Sequence, residues 1–272
     1  MTRFGFLLAL GAAMLVSTLG GCATSDARVT NLDNPAPLTE LGIDAENPFG
    51  SVRIEVTDAV NRIRVTETLL TPAFATKELR QSLADRVTLD VERIESAPGM
   101  ETLRLRVVAL EPLLSEEGVN LIVRLPRCSG VRVRNSAGDA VLVGVEGAIH
   151  VETEGGDIEV RCAEPLRWPV ALIADRGDIS LQTPGGDEGR VELVSNSGEA
   201  VFTSTLEPLH GMNATRHQVR GTLGDGVNPI TLRSDTGDVR MMVIDNAMDY
   251  TRWKTGNRRM ATPEKYTGDV DG

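Results

Sequence analysis

What this chain has little of narrows the field first. Aromatic residues fill 3% of its 272 positions, and there are three His and three Cys. A zinc centre of closely spaced His and Cys is excluded, because His150, His210 and His217 lack ligand spacing and no Cys-x-x-Cys occurs. Basic side chains are outnumbered, 28 against 39 acidic, for a net charge of −11, so the basic footprint that nucleic acid requires is missing. No serine nucleophile elbow is present, and the lone GTLGDG at 221–226 has neither the Lys nor the helix of a phosphate loop. The apolar run Phe4 to Leu19 is short for a membrane span, which needs about 20 residues.

That run has another use. Arg3 precedes it and small residues follow, the layout of a secretory signal over residues 1–21. It ends Leu19-Gly20-Gly21-Cys22, which closely resembles the lipobox of bacterial lipoprotein precursors. The resemblance implies cleavage before Cys22, lipid on its sulfur and amino group, and a membrane partner through that lipid. With Ala23 rather than Asp next, it implies an outer-membrane address in a two-membrane bacterium. Removal of the leader takes away only Arg3, leaving 27 basic against 39 acidic residues. Besides Cys22 there remain Cys128 and Cys162, which export permits to form a disulfide. The alternative is two buried thiols acting as small hydrophobes.

Residues 22–46 carry two prolines and no sustained periodicity, which predicts a tether behind the lipidated Cys22. Folding is expected over 47–246, beginning at Asn47-Pro48-Phe49-Gly50, with a polar tail over 247–272. SVRIEV and RIRV alternate, VTLDVERI and ETLRLRVVAL read as a hairpin about Ala97-Pro98-Gly99, and VNLIVRLP reads as a strand. One short helix is expected around 73–84, after Pro72, with Leu79 and Leu83 four apart.

From residue 131 the chain repeats. Gly138, Gly156, Gly177, Gly198 and Gly237 each precede an acid and lie between two apolar alternations. Seven and five residues before each glycine stand Val131/Val133, Ile149/Val151, Val170/Leu172, Val191/Leu193 and Ile230/Leu232. Two and four after it stand Ala140/Leu142, Ile158/Val160, Ile179/Leu181, Ala200/Phe202 and Val239/Met241. Period two on both sides of a fixed turn means strand, turn, strand, with one face buried. A unit of about 20 residues cannot bury that face alone and must stack on its neighbours, so an all-β solenoid is expected, with a β-sandwich as the alternative. Residues 203–218 interrupt the pattern between the last two copies.

The ordered set GSVRIEV, VNLIVRLP, the repeated Gly-acid units, GTLGDG and ITLRSDTGDVRM resembles the bacterial putative-adhesin family of β-strand repeats, a domain of unknown function, over about 48–243. The resemblance implies a single-stranded right-handed β-helix-like fold and a cell-envelope role without established catalytic residues.

The acids after the glycines are candidate calcium ligands: Asp139, Asp157, Asp178, Glu199 and Asp238. Neither the EF-hand spacing nor the glycine-rich nonapeptide surrounds them. A turn in which Gly138, Gly156, Gly177, Gly198 and Gly237 accept positive φ, and the acid bonds local backbone, accounts for them without a cofactor. The functional expectation is a non-catalytic scaffold or adhesin-like module of the envelope, meeting an envelope protein or a glycan. The alternative is a carbohydrate-active β-helix enzyme, a lyase or glycosidase, which needs convergent acids in a groove beside an aromatic such as Trp168.

Overall fold

The structure is a computed structural model that describes residues 27–35 and 39–248. The leader 1–21, Cys22 and the tail from 249 onward lie outside the described residues. In chain order the first elements are β1 (Ala27–Leu32), β2 (Glu40–Asn47), β3 (Val52–Val56), β4 (Ile63–Leu70) and α1 (Lys77–Arg86). Then come β5 (Val87–Ala97), β6 (Met100–Ala109), β7 (Gly118–Leu125), β8 (Ser129–Asn135) and β9 (Ala140–Val143). They are followed by β10 (Glu146–Thr153), β11 (Ile158–Arg161), β12 (Val170–Arg176), β13 (Ile179–Thr183) and β14 (Gly189–Ser195). The last are β15 (Ala200–Ser204), β16 (His210–Ala214), β17 (Gln218–Leu223), β18 (Asn228–Thr236) and β19 (Val239–Val243).

Two sheets face one another across one main core, with a second, smaller apolar cluster beneath α1. The nine-stranded sheet runs β1-β4-β7-β3-β9-β11-β13-β19-β15, the ten-stranded sheet β16-β17-β14-β18-β12-β10-β8-β2-β6-β5. Each coil is one strand of the larger sheet, a corner, and one strand of the smaller. Neighbouring coils pair in parallel, as a solenoid requires, and among the described residues antiparallel pairs occur only toward the two ends. The repeat phase carries directly into register: Ile149 pairs with Val131 and Val170, and Ile158 with Ala140 and Ile179. These inward residues are buried and join one hydrophobic cluster running through the stack.

Spatial order departs from chain order. From one end the coils are β6–β7, β2–β3, β8–β9, β10–β11, β12–β13, β18–β19 and β14–β15. Stacking in sequence order would have put β14–β15 against β12–β13. Instead the final coil enters between them, with Ile230 of β18 paired to Val170 on one side and Val191 on the other. The long step between Gly198 and Gly237 therefore holds a detour. Residues 203–218 contain β16, and the hairpin β16–β17 packs antiparallel on β14 before the chain turns back. The opposite end repeats the device, with β7 between β3 and β4 and β6 between β2 and β5.

Two boundaries differ from expectation. The segment read as a tether supplies β1 and β2, and β2 turns Leu41, Ile43, Ala45 and Asn47 inward. Ile43 and Ala45 pair with Val131 and Val133, and Val52 and Ile54 with Ala140 and Leu142. Gly50 thus turns a sixth copy of the repeat, with Ser51 in the acid position. The helix begins at Lys77, not residue 73. Thr76 is its N-cap, accepting from Leu79 N at 3.3 Å, while Pro72 O takes Ala75 N in a preceding turn. Leu83 on its inner face packs with Leu69, Val87, Val107 and Val119, so α1 closes the first end of the core.

Strand-pairing distance extends into the corners, where backbones nearly touch. A Cβ built on Gly156 would lie 2.2 Å from Gly138 O, and one on Gly177 would lie 2.1 Å from Gly156 O. Gly177→Ala is therefore expected to cost about 3 kcal/mol in urea unfolding. Gly99→Ala, with the same sign of φ but nothing within 4 Å of the new carbon, should cost only about 1 kcal/mol. Equal costs at the two sites would refute the crowding account.

Candidate functional site: the corner ladder and two outward hollows

The repeated acids were the first candidates, and the structure gives them a common task. Asp139 Oδ1 accepts the backbone N–H of Asp157 at 2.9 Å, and Asp157 Oδ1 that of Asp178 at 2.8 Å. Asp178 Oδ1 accepts from Asp238 N at 2.7 Å, and Asp238 Oδ1 from Glu199 N at 2.9 Å. Four of the five carboxylates thus bond the next coil, in spatial order with Asp238 before Glu199, while Glu199 in the last coil pairs with Arg216 at 3.3 Å. Among the described residues no group of three or more His, Cys, Asp or Glu is arranged to hold a metal ion.

Behind the acids the small polar residues bond the corner from inside. Asn135 Nδ2 donates to Gly138 O at 2.6 Å, Ser195 Oγ to Gly237 O at 2.6 Å and Ser234 Oγ to Gly177 O at 2.8 Å. Asn47 does the same in the sixth copy, donating to Ser51 O and Val119 O. Positive φ holds at Gly138, Gly156, Gly177 and Gly237 but not at Gly198. There a Cβ would lie 2.3 Å from Gly237 O, so close approach is the requirement all five share.

The candidate disulfide is not formed: Cys128 and Cys162 are free and buried. Both are core residues, and burial pushes each thiol up to about 12, which leaves them protonated and inert at neutral pH.

Two hollows open outward. One, of about 190 Å³, lies beside Trp168 and is lined by Val145, Glu146, Glu164, Pro165 and Arg167 among others. Trp168 is 59% exposed, yet its loop is pinned. Asp187 Oδ1 accepts from Leu166 N at 2.7 Å, Asn228 Nδ2 donates to Arg167 O at 2.6 Å, and Arg167 pairs with Glu188 at 3.0 Å. The second hollow, about 540 Å³, is an open trough on the outer face of the larger sheet. Small residues Gly42, Gly130 and Ala148 line it beside Asp44, Arg132 and His150. Along that face charges alternate across strands, with Arg104 bonded to Asp44 at 3.3 Å and Arg106 to Glu46 at 3.1 Å. His150 Nε2 meets Glu152 Oε1 at 2.7 Å on its own strand.

A glycosidase would need one carboxyl kept protonated at the point of attack. Burial raises Asp187 and Glu67 above the usual carboxylate range, but both are buried in the fold and neither lines a hollow. Glu146 and Glu164 flank Trp168 at exposed positions. Sequence reasoning did not single out Asp187, whose role is to hold the Trp168 loop, nor Gln182 and Ser180. The latter two point outward from β13 yet are buried, and the Gln182 amide and the Ser180 hydroxyl have no hydrogen-bond partner among the described residues.

Comparison with known proteins agrees with this architecture. Residues 125–241 match the model of the Toastrack DUF4097 family. A crystal structure from Clostridium sporogenes, described as a putative cell adhesion protein, is 10% identical, covers 80% of this chain and 99% of its own, and superposes with a TM-score of 0.55. That is a shared fold. A putative adhesin from Bacteroides fragilis is 9% identical over 80% of this chain and 98% of its own, with a TM-score of 0.30, too low to carry an argument. No curated protein matches.

Four outcomes follow from the site. Asp157→Ala is expected to lower stability by about 1 kcal/mol, and Asp157→Asn, which keeps an acceptor, by less. Millimolar calcium should leave the melting temperature of the unsubstituted protein unchanged. Asp187 holds its proton to higher pH folded than unfolded, so its contribution falls as pH rises through and above the ordinary carboxylate range. Asp187→Asn should therefore stabilise the protein at neutral pH, and pH-dependent melting should show the gain vanish in acid. Gln182→Met removes two unpartnered atoms at similar volume and is expected to add about 1 kcal/mol; a loss in urea unfolding would show that something satisfies the amide.

Proposed function

We propose, on the premise that residues 125–241 form a Toastrack DUF4097 domain, that this chain is a lipid-anchored, non-catalytic module of the cell envelope. Its outward faces and hollows meet a neighbouring envelope protein or glycan. The observation that carries the non-catalytic reading is the corner ladder. Four of the five repeated carboxylates, the chain's most conspicuous chemistry, are taken up as backbone acceptors between coils, and the fifth, Glu199, pairs with Arg216. Outward lie alternating charge, an open trough and the rigidly mounted, exposed indole of Trp168. Such surfaces suit recognition. The description of the Clostridium sporogenes structure as a putative cell adhesion protein points the same way, although at 10% identity the likeness itself shows only the fold.

The anchor rests on Leu19-Gly20-Gly21-Cys22. Several acyl chains together hold firmly where one holds marginally. No helix among the described residues is long and apolar enough to cross a membrane. The carbohydrate-active alternative keeps one specific observation in its favour, the placement of Glu146 and Glu164 beside Trp168.

Cys22→Ser is expected to move the protein from the membrane fraction to the soluble one, and unchanged retention would sink the anchor. Release of reducing ends from envelope polysaccharide, lost in Glu164→Gln, would overturn the non-catalytic reading. Trp168→Ala should weaken capture of the envelope partner roughly tenfold if the hollow is the contact.

A further inference from the structure

We propose that the α1 corner of the solenoid lies against a lipid surface, so that the domain is seated on the membrane as well as tethered to it. This rests on the anchoring of Cys22 proposed above. Apolar side chains collect at this corner without a partner: Phe74 is 96% exposed, Leu110 66%, Leu114 63% and Leu70 36%. Leu70 ends β4, Phe74 lies in the link from β4 to α1, and Leu110 and Leu114 lie in the link from β6 to β7. The frame holding them is fixed. Leu110 N donates to Arg86 O at 2.8 Å at the end of α1. Arg86 Nη2 pairs with the Glu117 carboxylate at 2.6 Å, and the other oxygen of that carboxylate accepts Leu114 N at 2.9 Å. Arg86 holds the Glu117 carboxyl below its usual range, so the clasp stays charged at neutral pH.

The position of the chain start selects the occupant. β1 pairs antiparallel with β4 so that Ala27 stands opposite Thr68, at the Leu70 end. Arg28 Nη2 donates to Ala84 O at 2.6 Å and Nη1 to Val87 O at 3.4 Å, which sets the start of β1 against the C-terminal half of α1. Five residue steps separate Ala27 from Cys22, a reach of at most about 18 Å. A lipid carried by Cys22 therefore places the bilayer surface beside the corner that exposes Phe74, Leu110 and Leu114. Charges there are mixed, with Lys77 and Arg80 beside Glu78, Asp85, Glu111 and Glu116. Contact thus depends on apolar insertion rather than on attraction to anionic headgroups. A protein partner at the same patch is the competing occupant, and the test separates the two.

The test uses the full chain purified from membranes and reconstituted into phosphatidylethanolamine–phosphatidylglycerol vesicles containing brominated phosphatidylcholine. Intact mass reports whether Cys22 is lipidated. In the F74W variant, the emission added over the parent protein is expected to be quenched by the brominated chains, and emission lost on Trp168→Phe is expected to be insensitive to them. Adding L110S and L114S should reduce the F74W quenching severalfold while leaving the circular dichroism of the sheets unchanged. L114W repeats the measurement should F74W fail to fold. A lipidated chain whose F74W emission ignores brominated lipid overturns the proposal and points to a protein occupant. An unmodified Cys22 overturns the anchoring alone. In that case quenching of F74W at vesicle excess supports the seated corner, and its absence overturns that too.

Discussion

Close approach of backbones at one corner is the constraint on which the rest of this structure depends. Coils can pair only if their turns also stack at strand spacing, and there the carbonyl of one glycine occupies the space a Cβ would need on the next. With that volume free, the strands on either side fall into register and the inward Val, Ile and Leu rows meet. The Asp after Gly138, Gly156, Gly177 and Gly237 completes the corner, because its carboxylate takes a backbone N–H of the neighbouring coil. Gly followed by Asp is therefore a single device in which one residue makes room and the other bonds across it.

Much of this was legible in the chain. Period two on both sides of Gly138, Gly156, Gly177, Gly198 and Gly237 identified inward residues and parallel register, because a two-residue period leaves one choice of face. Three things were not legible, each for a physical reason. The Gly50 coil was missed since Ser51 replaces the acid and Ala45 weakens the apolar alternation in β2. The order of the coils was hidden because Ile230/Leu232 and Val191/Leu193 present nearly the same inward surface, so phase alone cannot name a neighbour. The target of each acid was misplaced because sequence sees the local turn, whereas the N–H it bonds lies 18 to 60 residues away. At the hollow beside Trp168, the indole was visible in the sequence. Its support by Asp187 was not, since that contact spans separate loops.

Interleaving at both ends has a cost in folding. β12–β13 and β14–β15 cannot meet, and a slot two strand spacings wide, about 9.6 Å, persists between them until β18 and β19 arrive. Long-range parallel pairing of this kind closes slowly. The exposed edges of β12 and β14 stay open to other chains meanwhile, and the hairpin β16–β17 covers the outer edge of β14.

The same arrangement decides how the molecule would respond to tension between a surface and a partner. The described chain begins on β1, an edge strand whose only strand partner is β4, so that a load along their hydrogen bonds opens these one at a time once the Arg28 bonds to α1 give way. It ends just beyond β19, which is held by β13 on one side and β15 on the other. A load along β19 would shear two ladders together, so by its strand partners the solenoid is mechanically polar, weaker at its first strand than at its last.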